Sequence, residues 1–189
     1  MASICVFCGS RSGHDAAYAD AAAQLGVLLA SYGHSIVYGG GSVGLMGELA
    51  DAALDRNGHV IGVIPTALAN AELMHDGVVD MRVVPDMHVR KATMHKLANG
   101  YIALPGGYGT LEELFEVLCW AQLDFHTSPI AMLNVNGYFD GLTSLLDNMV
   151  HQDFLSLPHN GLLTSAASIA ELDHWLKHNF SADVNTGEK

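Results

Sequence analysis

The feature that most constrains this chain is its alternation. Short β-branched or aromatic runs recur along it, and the stretches between most of them are long enough for helices of ten or more residues. The strand candidates are 3–8, 35–38, 60–64, 79–84, 101–104 and 130–133. The helix candidates are 15–31, 45–56, 87–98, 110–123, 139–150 and 168–178. Apolar strands separated by helices argue for a parallel sheet covered on both faces. Right-handed crossovers then make an α/β, Rossmann-like doubly wound domain. One such domain is expected over 1–180, and the polar, unpatterned tail "SADVNTGEK" from 181 is expected to be disordered.

Charge narrows the function. Only eight of 189 residues are Lys or Arg, and the formal net charge is −12. A polynucleotide binder spreads positive charge over a face, so nucleic acid is not an expected partner. No apolar run approaches the roughly 18 residues of a membrane span, so no membrane role is expected. The start "MASICVFCGS" lacks a basic segment before a long apolar block, and cytoplasmic residence is expected. Three of the eight cations, Arg90, Lys91 and Lys96, fall close together. They mark either a small-anion site or a solvated helix face.

Other features read as structural. Cys5 and Cys8 form a C-x-x-C, but three-residue spacing on a strand sends their side chains to opposite faces. His174 and His178 have i, i+4 spacing without an acidic third ligand nearby, so solvent-facing histidines are expected rather than a metal site.

Ligands of doubly wound sheets bind at the carboxyl ends of the strands. Four loops there look chemical: "CGSRSG" from 8, "GGGSVGLMG" from 39, "PTALANAEL" from 65 and "PGGYGT" from 105. Gly39, Gly41 and Gly44 match G-x-G-x-x-G, yet the next strand ends in Ile64-Pro65. The acidic residue that would bind a dinucleotide ribose is missing. What survives is two backbone nests fit for a monophosphate, or two tight turns with no ligand. Ser10 in the first loop and Gly40 and Gly41 in the second are candidate contacts.

The stretch "LPGGYGTLEELFEVLCWAQ" from 104 raises a sharper question. A glycine-rich turn entering a helix offers bare N–H groups to an anion, but here two glutamates follow. Thr110 and Glu113 fit a capping box; alternatively, one glutamate does chemistry beside a bound phosphate. Leu111, Leu114, Phe115 and Leu118 form a stripe expected to face the sheet. Glu113, Val117 and Trp120 would then lie opposite, and an apolar far face implies a homodimer with Glu113 near the seam.

Together, "GGGSVGLMG", "MHVRKATM" and "PGGYGTLEE" resemble the LONELY GUY family over nearly the whole chain. Members were once labelled lysine decarboxylase-like. The resemblance implies a dimeric cytokinin riboside 5′-monophosphate phosphoribohydrolase, with Arg90 and Glu113 catalytic. It implies substrate contacts at Glu72, Arg90, Lys91, Gly107, Tyr108, Gly109, Thr110, Leu111, Glu112 and Glu113. The family often places Thr just before the tryptophan of this helix as a substrate contact, where this chain has Cys119.

The chemistry suits these residues. Cleaving an N-glycosidic bond builds positive charge on the ribose, which a fixed carboxylate stabilises. Arg90 stays protonated and suits positioning. No metal or redox cofactor is required. A decarboxylase would need pyridoxal phosphate on a lysine, superficially offered by Lys96. A general AMP nucleosidase would share the mechanism and differ in its base, and a non-catalytic carrier or sensor would bind the nucleotide without turnover.

Overall fold

The computed structural model describes residues 1–69 and 73–180. Glu72 and the tail from 181 lie outside the described residues. Seven strands form one all-parallel sheet: β1 (Ser3–Phe7), β2 (Ser35–Tyr38), β3 (Val60–Pro65), β4 (Asp80–Val84), β5 (Gly100–Ala103), β6 (Ile130–Leu133) and β7 (Leu163–Ala166). Their order is β4-β3-β2-β1-β5-β6-β7. The order reverses between β1 and β5, where Ile4 pairs with Gly100 and Phe7 with Ala103.

The helices are α1 (Ala16–Ser31), α2 (Gly44–Leu54), α3 (Met87–Leu97), α4 (Tyr108–Gln122), α5 (Asp140–His151), α6 (Leu157–Asn160) and α7 (Ile169–Phe180). They cover both faces. Ile4, Val6, Ile36 and Tyr38 pack with Leu25, Leu29 and Leu49 of α1 and α2, and Leu172 and Leu176 of α7 join them. Cys5, Phe7, Val37 and Val63 point the other way, against Met94 of α3 and Leu114 and Val117 of α4. Cys5 and Cys8 thus separate to the two faces as their spacing requires. Burial pushes both thiols up, and both lie away from the reactive range.

Two expectations change. β7 was not anticipated: "LTSA" carries two exposed hydroxyl residues and sits at the sheet edge, so it lacks the apolar signature of a central strand. In α4 the buried residues are Thr110, Glu113, Leu114, Val117 and Ala121. The sheet-facing stripe is therefore turned by about 100°, one residue's step, from the leucine-rich one expected. Leu111, Phe115 and Leu118 form a half-buried flank, Val117 is fully buried within its own chain, and Glu113 faces inward. Among the described residues no helix is long and apolar enough to cross a membrane.

Candidate active site

Three of the strand-end loops meet at the switch point. The Gly9 amide donates to the Pro105 carbonyl at 3.0 Å, tying the first loop to the fourth. Gly44, at φ +64°, lets the second loop press on the first: a Cβ there would lie 2.4 Å from the backbone of Ser10 and Arg11. Tyr138 closes one wall by donating its hydroxyl to the Gly106 carbonyl at 2.5 Å. Between these groups runs a cleft of about 590 Å³, lined by residues 9–13 on one side and 105–108 on the other.

The turn at 105–110 opens onto this cleft. Helix α4 begins at Tyr108 with Gly107 as its N-cap, and no side chain caps it. The capping box is overturned. Thr110 lies inside the first turn, and Glu113 accepts from an arginine. The Leu111 amide already closes the helix onto the Gly107 carbonyl, because two small glycines let the chain enter the helix early. At Gly107 and Gly109 a Cβ would meet no heavy atom within 4 Å. Free first-turn amides, a helix dipole and open space make a seat for an oxyanion.

About one helical turn along α4, roughly 5 Å, stands the charged centre. Asp86 caps α3 by accepting from the Val89 amide at 2.9 Å. Arg90, in the first turn of that helix, reaches toward the sheet. Its Nε donates to the Val63 carbonyl at 3.0 Å, and its Nη1 donates to Glu113 Oε1 at 2.5 Å. The two side chains are only 11% and 10% exposed. Burial raises the Glu113 carboxyl above its ordinary range, and Arg90 pulls the other way without cancelling it. Gly39 leaves room for the guanidinium: a Cβ there would lie 2.4 Å from Arg90 Nη2. A carboxylate so held can face a developing cation at little reorganisation cost.

The cation cluster divides. Lys91 donates to Glu112, and to Glu116 at 3.0 Å. These bonds, Glu112 first, raise its pKa against the opposing effect of burial. His95 meets the other Glu116 oxygen at 2.9 Å and packs its ring on Trp120. Burial works to raise Glu116, but His95 and Lys91 outweigh it and hold the carboxyl low. Lys96 is exposed near the end of α3. Arg90 and Lys91 are thus matched by carboxylates and do not form a vacant anion site. Pyridoxal chemistry needs a lysine that loses its proton readily. Lys91 is shifted the wrong way, and Lys96 lies outside the cleft, in the last turn of α3.

The structure brings together Ser10, Gly107 and Tyr108 at the cleft, and Arg90 and Glu113 beneath the same turn. Gly109 and Thr110 belong to that turn, whereas Gly40, Gly41 and Cys119 lie elsewhere. Gly40 and Gly41 face the chain's own 73–75 segment: the Gly40 carbonyl accepts from the His75 amide, and Gly41 bridges to Met74. Cys119 is exposed on the outer flank of α4, in an apolar groove with Phe115, Leu118 and Phe154. Sequence reasoning passed over Arg11, although it is the one Lys or Arg in the four strand-end loops singled out. His174 and His178 are exposed, and among the described residues no cluster fits a metal.

Known proteins resemble this chain in sequence and in fold. The family described as "Possible lysine decarboxylase" matches residues 46–174. The chain is 48% identical over 174 residues to the probable cytokinin riboside 5′-monophosphate phosphoribohydrolase LOGL9 of Oryza sativa subsp. japonica, covering 92% of this chain and 77% of that protein. It is 49% identical over 169 residues to cytokinin riboside 5′-monophosphate phosphoribohydrolase LOG1 of Arabidopsis thaliana, covering 89% and 79%. The molybdenum cofactor binding protein from Rippkaea orientalis superposes with TM-score 0.68 over 94% of this chain and 96% of that one, at 24% identity. That likeness speaks for the fold alone. Sharing close to half its residues with these plant proteins over some nine-tenths of its length, the chain belongs to the LONELY GUY family.

Proposed function

We propose that this protein hydrolyses the N-glycosidic bond of cytokinin riboside 5′-monophosphates, and of AMP, to free base and ribose 5-phosphate. The observation that carries the reading is the buried Arg90–Glu113 pair one helical turn from the open glycine seat at 107–109. The α4 amides hold the phosphate and so position the sugar. As the C1′–N bond breaks, the base leaves with the bonding electrons and a proton from solvent. Positive charge then spreads over C1′ and the ring oxygen. Glu113 stabilises that charge and takes a proton from the water that adds to C1′, while Arg90 holds the carboxylate in place. The scheme needs no metal or redox cofactor.

The reading includes a cytoplasmic homodimer without nucleic-acid partners, but its seam moves. Val117 is buried in its own chain, so the seam moves to the apolar flank of α4 carrying Phe115 and Leu118 beside the 86%-exposed Phe154. A substrate contact at Cys119 requires a second copy there, since Cys119 lies about 120° round α4 from Glu113. Phe154→Glu is expected to shift light scattering toward monomer and to lower activity with it. A variant still dimeric and fully active removes this seam.

The test of function is incubation with AMP and N6-isopentenyl-AMP, with adenosine in parallel, and assay of base and ribose 5-phosphate. Equimolar release from the monophosphates is expected, with adenosine much poorer. Binding without release would make the protein a carrier or sensor, and equal rates for AMP and adenosine would remove the phosphate seat.

A further inference from the structure

We propose that Arg11 recognises the substrate's 5′-phosphate by charge and sets the preference for a nucleotide over its nucleoside. The inference rests on the proposed function and deepens it. Arg11 lines the cleft beside Ser10 and Ser12, across from Gly107 and Tyr108. Its backbone is clamped. Gly9 is bonded to Pro105 on one side, and Gly44 presses against the Ser10–Arg11 peptide on the other. Its side chain is exposed and meets no carboxylate among the described residues. Among the described residues, the other cations are otherwise engaged or otherwise placed. Arg82, Arg90, Lys91 and Lys177 each face an aspartate or glutamate within 4.0 Å. Arg56 follows the end of α2 and Lys96 lies in the last turn of α3, each shortly before a strand begins and so away from the carboxyl ends where the cleft lies.

A chain of net charge −12 repels a dianion, so a cation is needed where the phosphate lands. Amides at a helix N-terminus supply partial charge only. A guanidinium adds a full charge and a planar fork that matches two phosphate oxygens. With the backbone already fixed, only the Arg11 side chain has to be ordered on binding. A nucleoside presents no such oxygens and gains nothing from this residue.

The experiment compares wild type, Arg11→Ala and Arg11→Lys on AMP and adenosine, with ribose 5-phosphate binding measured by calorimetry. For Arg11→Ala, the ratio of kcat/KM for AMP to that for adenosine is expected to fall about 10- to 100-fold, the scale of one charge-assisted hydrogen bond. Ribose 5-phosphate binding should weaken alongside it. Lysine keeps the charge without the fork, so Arg11→Lys should fall between. Unchanged ratio and unchanged ribose 5-phosphate binding in Arg11→Ala overturn the proposal. Should the wild type release no base from any monophosphate, the proposed function fails, and calorimetry still decides Arg11. Weaker binding in Arg11→Ala then supports it, and equal or undetectable binding in both proteins overturns it. Circular dichroism melting confirms that this exposed substitution leaves the fold intact.

Discussion

The two glycine-rich turns look alike in sequence and differ in what surrounds them. In the turn from 39, the space a side chain would take belongs to the protein. Arg90 fills it at Gly39, Met46 fills it at Gly41, and the first loop fills it at Gly44. The 73–75 segment also takes up backbone groups, with the Ser42 amide donating to the Leu73 carbonyl at 2.8 Å. In the turn from 105, Gly106 is crowded by Thr110, but Gly107 and Gly109 face open space. Packing explains the first set of glycines. Among the described residues none fills the space at the second pair, where the proposed ligand would approach the backbone. A glycine motif therefore names a close approach without saying what approaches.

The comparison breaks most sharply at the charge the second turn delivers. Glu113→Gln is expected to stay folded and to bind AMP, since Gln can still accept from Arg90. It should lose at least ~10²-fold in kcat, the scale of one electrostatic stabiliser. Near wild-type turnover would reduce Glu113 to a structural role. Gly39→Ala comes next. Its Cβ must displace the Arg90 guanidinium, and we expect a fall of roughly 10- to 100-fold in kcat/KM, because a misplaced positioning group costs on that order. Steady-state assays check both.

The smaller effects separate the turns directly. Gly109→Ala meets no atom and restricts the unfolded chain. Its melting temperature should hold or rise, by the equivalent of about 0.4–1 kcal/mol, while the added methyl raises KM for AMP. Gly44→Ala should instead lose stability, since φ +64° and the Ser10 backbone leave a Cβ no room. If both variants behave alike in melting and in KM, the distinction fails. The mildest test is pH. Burial raises the Glu113 carboxyl and the ionised form is the active one, so activity should be lost on acidification before the ordinary carboxylate range is reached. An acid limb at or below that range would contradict the burial argument.

Much of this was legible in residues. Periodicity located six of the seven strands and the longer helices, because buried parallel strands and amphipathic crossovers leave strong signals. β7 escaped because an edge strand can be polar. The rotation of α4 escaped for a more instructive reason. A glutamate is ordinarily placed on the solvent side, and only its pairing with Arg90, 23 residues earlier, makes burial tolerable. Spacing within one helix cannot reveal a partner on another. Lys91 misled in the same way: its two carboxylates lie on α4, so a cation cluster on α3 looked unmatched.

The most direct measurement of the central claim, that the turn from 105 rather than the turn from 39 receives the phosphate, is amide NMR of the protein titrated with ribose 5-phosphate. The account predicts saturable shifts of the Gly107, Gly109 and Thr110 amides, with Gly40, Gly41 and Ser42 little moved. Shifts centred on Gly40 to Ser42, with Gly107 and Gly109 unmoved, would contradict it.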